Sequence, residues 1–106
     1  MGAMSRRKGS RAEAELVAIL RAAGWPHARR VFDSGSAGGG DVEGPAGVHL
    51  EVKRCERLQV LAWCRQAESE ARSTDVPVVA FRTSGEPWRA VLPLDELLAL
   101  LRLREA

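Results

Sequence analysis

The chain has 106 residues, which is enough for one domain with a single hydrophobic core and too few for two. Hydrophobic residues make up 45% of the sequence and charged residues 28%, as is ordinary for a soluble globular protein. No apolar run approaches membrane-spanning length and the N-terminus is basic and polar, which argues against a membrane protein or a signal peptide and favours a cytoplasmic location.

Positive charge is concentrated in the first part of the chain, although the net charge is only +2. Residues 1–30 hold seven basic side chains against two acidic ones, whereas the remainder has a net charge of −3. Such a patch suits a polyanion, although a solubilising tail would explain Arg6 to Lys8 equally well. Residues 1–4 resemble a cloning remnant with a start methionine, so we expect a single domain over residues 5–106.

The first predicted helix begins at Ser10 and ends near Gly24. Ser10 suits the N-cap, Glu13 follows at capping-box spacing, and Gly24 suits the position after the C-cap. The predicted apolar stripe consists of Leu16, Ile19, Leu20 and Ala23. Glu13 falls within that stripe, so it is either a capping residue or a functional carboxylate turned toward a site. Glu15 and Arg21 lie off the stripe and are expected to be solvated.

A short strand over residues 29–33 is predicted next, and it leads into a glycine-rich loop over residues 34–40. Four glycines and two serines in that loop cannot hold a regular element. The loop lacks the lysine of a nucleotide-binding P-loop. It is either a plain linker or a flexible flap that lets a phosphodiester backbone approach Asp41, which follows directly.

A predicted hairpin over residues 41–53 turns at Pro45-Ala46-Gly47 and carries the candidate chemistry. Apolar and polar residues alternate along its second strand, so the two sets should occupy opposite faces, with the apolar set buried. The apolar set is Val48, Leu50 and Val52, and the polar set is His49, Glu51 and Lys53. Glu51 and Lys53 then lie roughly 7 Å apart, and the hairpin brings Asp41 to the same edge. Two carboxylates can hold Mg²⁺ while the lysine orients a water molecule, and the alternative is a set of solvated surface charges.

The second predicted helix covers residues 58–73. Its apolar stripe consists of Val60, Cys64, Ala67 and Ala71. Cys64 is therefore a small core residue, and without a secretory context both Cys55 and Cys64 are expected to be reduced thiols. Trp63 and Gln66 lie beside the stripe, where Trp63 should pack and Gln66 could reach the candidate site.

The C-terminal third is predicted to hold two strands and a helix. An apolar run over residues 76–81 predicts a central strand, and residues 88–92 pair with it as a hairpin. Asp95 can cap a last helix whose leucines fall into two sets. The sheet should bury Leu97, Leu98 and Leu101, and a partner surface should bury Leu100 and Leu103. The predicted order α, β, β, β, α, β, β, α gives an α/β fold with a mixed central sheet flanked by helices.

The order of these features resembles the PD-(D/E)-x-K nuclease superfamily, with a helix glutamate, a glycine-rich loop, Asp41, and then Glu51-Val52-Lys53 on the next strand. Within that superfamily the chain resembles the archaeal-type Holliday junction resolvases, to which small phage and bacterial nucleases are similar. The likeness is carried by Arg7-Lys8-Gly9-Ser10, Ala12-Glu13, Glu15-Leu16, Gly24-Trp25, a strand arginine and Ser34-Gly35-Ser36. It covers about residues 6–82, with Gly40 where the superfamily name has proline.

The resemblance implies a restriction-endonuclease-like core with a Mg²⁺ site in which Mn²⁺ can substitute. Asp41 and Glu51 would bind the ion together with the backbone carbonyl of Val52. Glu13 would complete the acidic cluster, with a water molecule between it and the ion. Lys53 would position the water that attacks phosphorus.

The resemblance also implies DNA as the substrate. Ser34 or Ser36 would touch the strand being cut. Phosphate contacts would come from Arg6, Arg7, Lys8, Arg11, Arg29, Arg30 and Arg54. The expected activity is a metal-dependent endonuclease that resolves four-way DNA junctions as a homodimer, with no membrane partner and no small-molecule cofactor. A repair, restriction or flap-type nuclease with the same site, and a catalytically inactive DNA-binding module, are the alternatives.

Overall fold

The computed structural model describes residues 2–32 and 41–106, with only the course of the backbone for residues 2–8. Three helices and five strands lie within these ranges, and they follow the predicted order of elements. They are α1 (Gly2–Ala22), β1 (Arg29–Arg30), β2 (Val42–Glu43), β3 (Val48–Arg54), α2 (Val60–Glu70), β4 (Val76–Arg82), β5 (Arg89–Val91) and α3 (Leu94–Glu105).

The five strands form one mixed sheet in the order β1-β2-β3-β4-β5. Neighbouring strands are antiparallel except for β3 and β4, which run parallel in a register that places Leu50 opposite Val78. A parallel pair needs a crossover between its strands, and α2 provides it. The predicted α/β class, with a mixed sheet flanked by helices, is therefore confirmed. β3 takes the central position, and the strand predicted to be central, β4, lies beside it.

Helices cover both faces of the sheet. On one face α1 packs on a cluster formed by Val17, Ala28, Val42 and Leu50. On the other face the Trp63 ring of α2 lies 5.6 Å from the Phe81 ring of β4, measured between centroids. Ala67 and Val79 complete this second cluster. The polar residues of β3 point to the face that α2 covers, so this helix decides their surroundings.

The N-terminal helix is longer than predicted. α1 begins well before Ser10, so the interpretation of Ser10 as an N-cap and of Glu13 as its capping-box partner is wrong. Arg6 to Lys8 are residues of high helix propensity, which outweighs the cost of about 1 kcal/mol for the glycine that follows them. The Ser10 hydroxyl instead accepts a hydrogen bond of 3.1 Å from the Arg30 guanidinium.

The predicted end of α1 at Gly24 is confirmed. This glycine has a φ of +119°, and its N–H donates to the Arg21 carbonyl at 3.3 Å. The Trp25 N–H donates to the Leu20 carbonyl at 3.0 Å. The two bonds form a Schellman motif, which favours glycine because no Cβ opposes the positive φ. The chain reverses here and enters β1.

The buried face of α1 is rotated relative to the predicted stripe. The buried residues are Ala12, Leu16 and Val17. Ile19 is 44% exposed and Ala23 is exposed, although both belong to the predicted stripe. The rotation turns Glu13 toward the sheet, where it is half-buried. The cause is tertiary, because strands distant in sequence determine which side of an amphipathic helix is covered.

Glu15 is exposed, as predicted, and it also has partners that the sequence does not reveal. Its carboxylate accepts a hydrogen bond of 2.6 Å from Trp88 Nε1 and forms an ion pair of 3.0 Å with Arg82. These contacts join α1 to the end of the sheet where β4 passes to β5. The partners are far apart in sequence, so the pattern of α1 alone does not reveal them.

The second helix, α2, is shorter than the predicted span of residues 58–73. It covers Val60–Glu70, and Trp63 and Ala67 are its buried residues. Val60 and Cys64 pack at the margin of the same cluster. The packing roles of Trp63 and Cys64 are therefore confirmed. Both cysteines of the chain have free thiols, as predicted.

The C-terminal helix, α3, departs most from its prediction. Pro93 occupies the N-cap without a side-chain hydrogen bond, so the assignment of Asp95 as the cap is wrong. Asp95 lies in the first turn, where a carboxylate suits the helix dipole. The leucines expected on the sheet are exposed by 37% (Leu97), 51% (Leu98) and 39% (Leu101). β5 is only three residues long and offers α3 little surface.

None of the described helices, α3 included, has the length and apolar character to cross a bilayer.

Two glycines allow a matched test of α1. Gly24→Ala should lower the free energy of unfolding by about 1–2 kcal/mol, because alanine is strained at φ +119°. Gly9→Ala should raise it by about 0.5–1 kcal/mol, because Gly9 lies inside the helix and a Cβ there meets nothing within 4 Å. Urea unfolding followed by circular dichroism measures both. A stabilising Gly24→Ala would contradict the Schellman motif, and a destabilising Gly9→Ala would contradict a helix that continues through this residue.

Candidate active site

Asp41 is fixed beside β3 by its own side chain. Its Oδ2 accepts a hydrogen bond of 2.8 Å from the backbone N–H of Val52, the residue between Glu51 and Lys53. The Asp41 N–H donates to the Leu50 carbonyl at 2.8 Å, which extends the pairing of β2 with β3 by one residue. The hairpin thus brings Asp41 to the Glu51-Val52-Lys53 segment, as the sequence predicts.

His49 and Glu51 are the buried polar residues of the described chain, with exposed fractions of 1% and 2%. Alternation along β3 separates its two faces as predicted, but the polar face is not open, because α2 crosses it. His49 Nε2 and Glu51 Oε1 are 2.8 Å apart. With its proton on Nε2 the imidazole donates to that oxygen, and Nδ1 is then buried with no partner among the described residues.

Burial makes Glu51 a residue that holds a proton. Its pKa is raised to about 9, first by loss of solvation and then by the hydrogen bond with Glu70. The negative charge of Asp41 raises the pKa of Glu51 further, and the Lys53 ammonium opposes the shift. The same hydrogen bond lowers the pKa of Glu70. The two shifts run in opposite directions, so Glu51 binds a proton more tightly than Glu70 does.

Gln66 of α2 connects the Glu51–Glu70 pair to Lys53. Lys53 Nζ donates to Gln66 Oε1 at 2.8 Å, and Gln66 Nε2 donates to Glu70 Oε1 at 3.3 Å. Gln66 and Glu70 are one helical turn apart, so both reach β3 from the same side of α2. The expectation that Gln66 reaches the site is confirmed. Sequence reasoning misses Glu70, although its spacing of four residues from Gln66 is a signal that could have identified it.

Glu13 approaches the site from α1, on the other face of the sheet. Its Oε1 forms an ion pair of 3.1 Å with Arg30. Loss of solvation raises the pKa of Glu13, the hydrogen bond from Arg30 lowers it, and the charge of Asp41 raises it. The charge of Asp41 therefore acts on Glu13 from α1 and on Glu51 of β3, which lie on opposite faces of the sheet.

The residues predicted to contact DNA fall into three groups. Some form ion pairs with glutamates, one is exposed without such a pair among the described residues, and the rest have side chains outside the described part of the chain. Arg29 forms an ion pair of 2.9 Å with Glu43, and Arg54 pairs with Glu56. Arg11 is exposed. Outside the described residues lie Ser34 and Ser36 and the side chains of Arg6, Arg7 and Lys8. Carboxylates therefore orient the strand arginines of this set before any ligand arrives.

The site supplies donors of the kind that bind divalent cations. His49, Glu51 and Glu70 each offer one ligand atom, and these atoms lie within 4.8 Å of one another. Carboxylate oxygens suit Mg²⁺, and a ring nitrogen suits Mn²⁺ and later transition metals. A cation held by Glu51 would displace its proton, so binding would strengthen with rising pH. Of the ligands that the sequence predicts, Glu51 belongs to this group, whereas Asp41 and Glu13 do not. Mg²⁺, with Mn²⁺ as its substitute, remains a proposal.

Comparison of the chain with protein-family models, with curated proteins and with solved structures found no match in any of the three. The resemblance to nucleases therefore depends on the order of the motif residues.

Glu51→Gln should stabilise the metal-free protein at neutral and alkaline pH. The pKa of Glu51 is about 9 in the folded state, against an ordinary value of 4.5. The folded protein is therefore not destabilised by Glu51 below pH 4.5, and it loses free energy of unfolding as the pH rises from 4.5 toward 9. Glutamine mimics the protonated carboxyl and does not titrate. The stability of the variant relative to wild type should therefore grow across this range, by at most about 1.4 kcal/mol per pH unit.

Urea unfolding in EDTA at a series of pH values measures this difference. Glu68→Gln on the exposed side of α2 is the control, and its stability relative to wild type should stay nearly constant across the same range. A difference that does not change with pH for Glu51→Gln would contradict a buried, protonated Glu51.

Proposed function

We propose that this protein is a metal-dependent DNA endonuclease with a PD-(D/E)-x-K site. The observation that carries the proposal is the hydrogen bond from the Val52 N–H to Asp41 Oδ2. It holds one carboxylate against a segment that carries a second carboxyl group at Glu51 and an ammonium group at Lys53. The burial of Glu51 argues against the alternative of solvated surface charges, since an acid is costly to bury without a purpose or a partner.

The order of elements supports a restriction-endonuclease-like core as part of the same proposal. A helix, an antiparallel hairpin, a crossover helix and a parallel strand follow one another along the chain. The hairpin delivers Asp41, β3 delivers Glu51 and Lys53, and the first helix delivers Glu13. This is the distribution of acidic and basic residues that the resemblance implies.

In the proposed reaction, water attacks phosphorus in line with the leaving oxygen. Asp41 and Glu51, with the Val52 carbonyl, would hold Mg²⁺ or Mn²⁺, and Glu13 would act through a water molecule. The ion, when bound, would stabilise the charge that develops on the phosphate. Lys53 would orient the attacking water. Gln66 accepts one of its three N–H groups, and no other group of the described residues accepts the remaining two.

The proposed substrate is a four-way DNA junction. Arg29 and Arg30 would contact phosphates, which position DNA without reading its sequence, and Arg30 already lies against Glu13. Symmetric incision of a junction needs two equivalent sites on one rigid body, and a two-fold homodimer is the commonest way to supply them. Repair, restriction and flap-type nucleases would use the same site on other DNA.

Asp41→Asn and Glu51→Gln should each lower DNA cleavage by about 100-fold or more and leave DNA affinity within about threefold. Each change removes a charged oxygen ligand and keeps the shape of the side chain. Cleavage is measured on labelled junction, flap, duplex and single-stranded DNA with Mg²⁺ or Mn²⁺, and affinity by fluorescence anisotropy in EDTA. Glu68→Gln serves as the control and should cut normally.

If either carboxylate variant cut DNA at the wild-type rate, the assignment of that residue as a metal ligand would be wrong. If the wild type cut a flap or a duplex faster than the junction, that DNA would be the preferred substrate. A wild-type protein that binds DNA but cuts none of the four would instead be the inactive DNA-binding module.

Gln66 should act as a positioning residue for Lys53. Lys53→Ala should abolish cutting, whereas Gln66→Ala should lower it by about 10-fold, because the ammonium keeps its charge and loses the acceptor that holds it. Gln66→Glu retains an acceptor and should cut better than Gln66→Ala. Titration calorimetry with Mn²⁺ should show nearly unchanged affinity for the alanine variants. A collapse of that affinity would make Lys53 a structural partner of the carboxylates.

The exposed leucines of α3 are expected to form the homodimer contact. Leu100 and Leu103 are 48% and 73% exposed, and leaving two such side chains in water forgoes about 3–6 kcal/mol of burial. Leu100→Glu combined with Leu103→Glu should give a folded monomer that no longer makes the two coupled strand incisions in a junction. Leu61→Glu on α2, at a leucine that is 63% exposed, is the control and should stay dimeric. Light scattering that shows a wild-type monomer, or an intact dimer in the double variant, would remove this interface.

A further inference from the structure

A basic groove lies between α1 and β1, beside the candidate active site. Its volume is about 450 Å³, and its apolar lining comes from Ala14, Val17 and Ala18 of α1. The rest of the lining consists of Arg21, Arg29, Arg30 and Phe32. A cavity of this size is within the range of small-ligand sites. The combination of apolar and cationic walls suits a ligand with a flat apolar part and an anionic part.

Phe32 is the most exposed large hydrophobic side chain among the described residues, at 83%. The Arg30 guanidinium lies 4.6 Å from the centroid of its ring, a cation–π contact that holds the ring in place. The guanidinium covers one face of the ring, and the exposure leaves the other face open. An aromatic ring presented in this way next to cations is a stacking surface.

Arg21 supplies a fixed positive charge to the groove. Its Nε donates to the Ala28 carbonyl at 2.9 Å, which anchors the guanidinium. Within the described part of the chain no carboxylate pairs with it, whereas the other two arginines of the groove are each balanced by a glutamate. The groove therefore carries a net positive charge that favours an anionic ligand.

We propose that this groove binds one unpaired nucleotide of DNA, with its base stacked on Phe32 and its phosphate bonded to Arg21. The choice of DNA rests on the proposed function, and the groove adds an unpaired nucleotide as the feature that is recognised. A four-way junction offers such a nucleotide only where a base pair opens at its branch point. A base inside a duplex is covered on both faces by its neighbours, so only an unpaired nucleotide can use the ring. Arg30 contacts both Phe32 and Glu13, so the nucleotide would lie beside the candidate active site.

The test compares the DNA affinities of Phe32 variants in EDTA, where metal-dependent cutting is blocked. Phe32→Ala should weaken binding of a fluorescein-labelled single-stranded oligonucleotide by about 5- to 20-fold and leave binding of the matching blunt duplex within about twofold. Phe32→Tyr retains the ring and should bind like wild type. Leu61→Ala, which removes another exposed apolar side chain, is the matched control and should change neither affinity.

Two further measurements follow the base and the phosphate separately. An oligonucleotide containing 2-aminopurine should lose fluorescence on binding to the wild type, because stacking quenches it, and should keep its fluorescence with Phe32→Ala. Arg21→Gln should lower the slope of log affinity against log salt concentration by about 1 for the single strand.

Unchanged single-strand affinity in Phe32→Ala, or an equal loss on the duplex, overturns the proposal. A changed oligomeric state in Phe32→Ala with unchanged DNA affinity also overturns it, because the groove would then hold a second copy of the chain. The nuclease proposal is judged separately by cleavage. If base stacking depends on Phe32 but no DNA is cut, the groove binds a nucleotide and the nuclease proposal is wrong. If DNA is cut but its affinity does not depend on Phe32, the nuclease proposal stands and the groove proposal is wrong.

Discussion

A carboxyl group buried at the centre of the sheet needs partners inside the protein, and Glu51 finds them on β3 and α2. His49 lies 2.8 Å from one of its oxygens, and Glu70 accepts its proton in a hydrogen bond. Because the charged form is costly there, the pKa of Glu51 rises to about 9. The crossover helix must therefore pack in one register, with Gln66 and Glu70 over the polar residues of β3, or the buried acid would lack its partner.

Asp41 joins the two sides of the sheet electrostatically. Its charge raises the pKa of Glu13 on the α1 side and of Glu51 on the α2 side. The backbone N–H of Val52 holds the Asp41 carboxylate in the position from which it acts on both. Clustered carboxyl groups cost stability on their own, and a divalent cation bound among them would relieve that cost. Metal binding and folding stability would then be coupled.

The sequence by itself determined the features that depend on near neighbours. Gly24 ends α1 because its positive φ excludes most other residues, and the Pro45-Ala46-Gly47 turn returns the chain so that Asp41 meets β3. Alternation separated the two faces of β3, and helical spacing placed Gln66 beside the apolar stripe of α2, from which it reaches the site. The order of the helices and strands followed from the same local patterns.

Only the tertiary structure decided which of those faces are covered. The alternation of apolar and polar residues along β3 would be the same if its polar face were open. The packing of α2 on that face buries Glu51 and raises its pKa. Ser10 has the local pattern of a helix start but lies inside α1 and meets Arg30, which comes from a strand. The leucines of α3, among them Leu98, stay exposed because β5 is too short to cover them. Periodicity specifies the side of an element on which a residue lies, whereas burial depends on what the rest of the chain brings to that side.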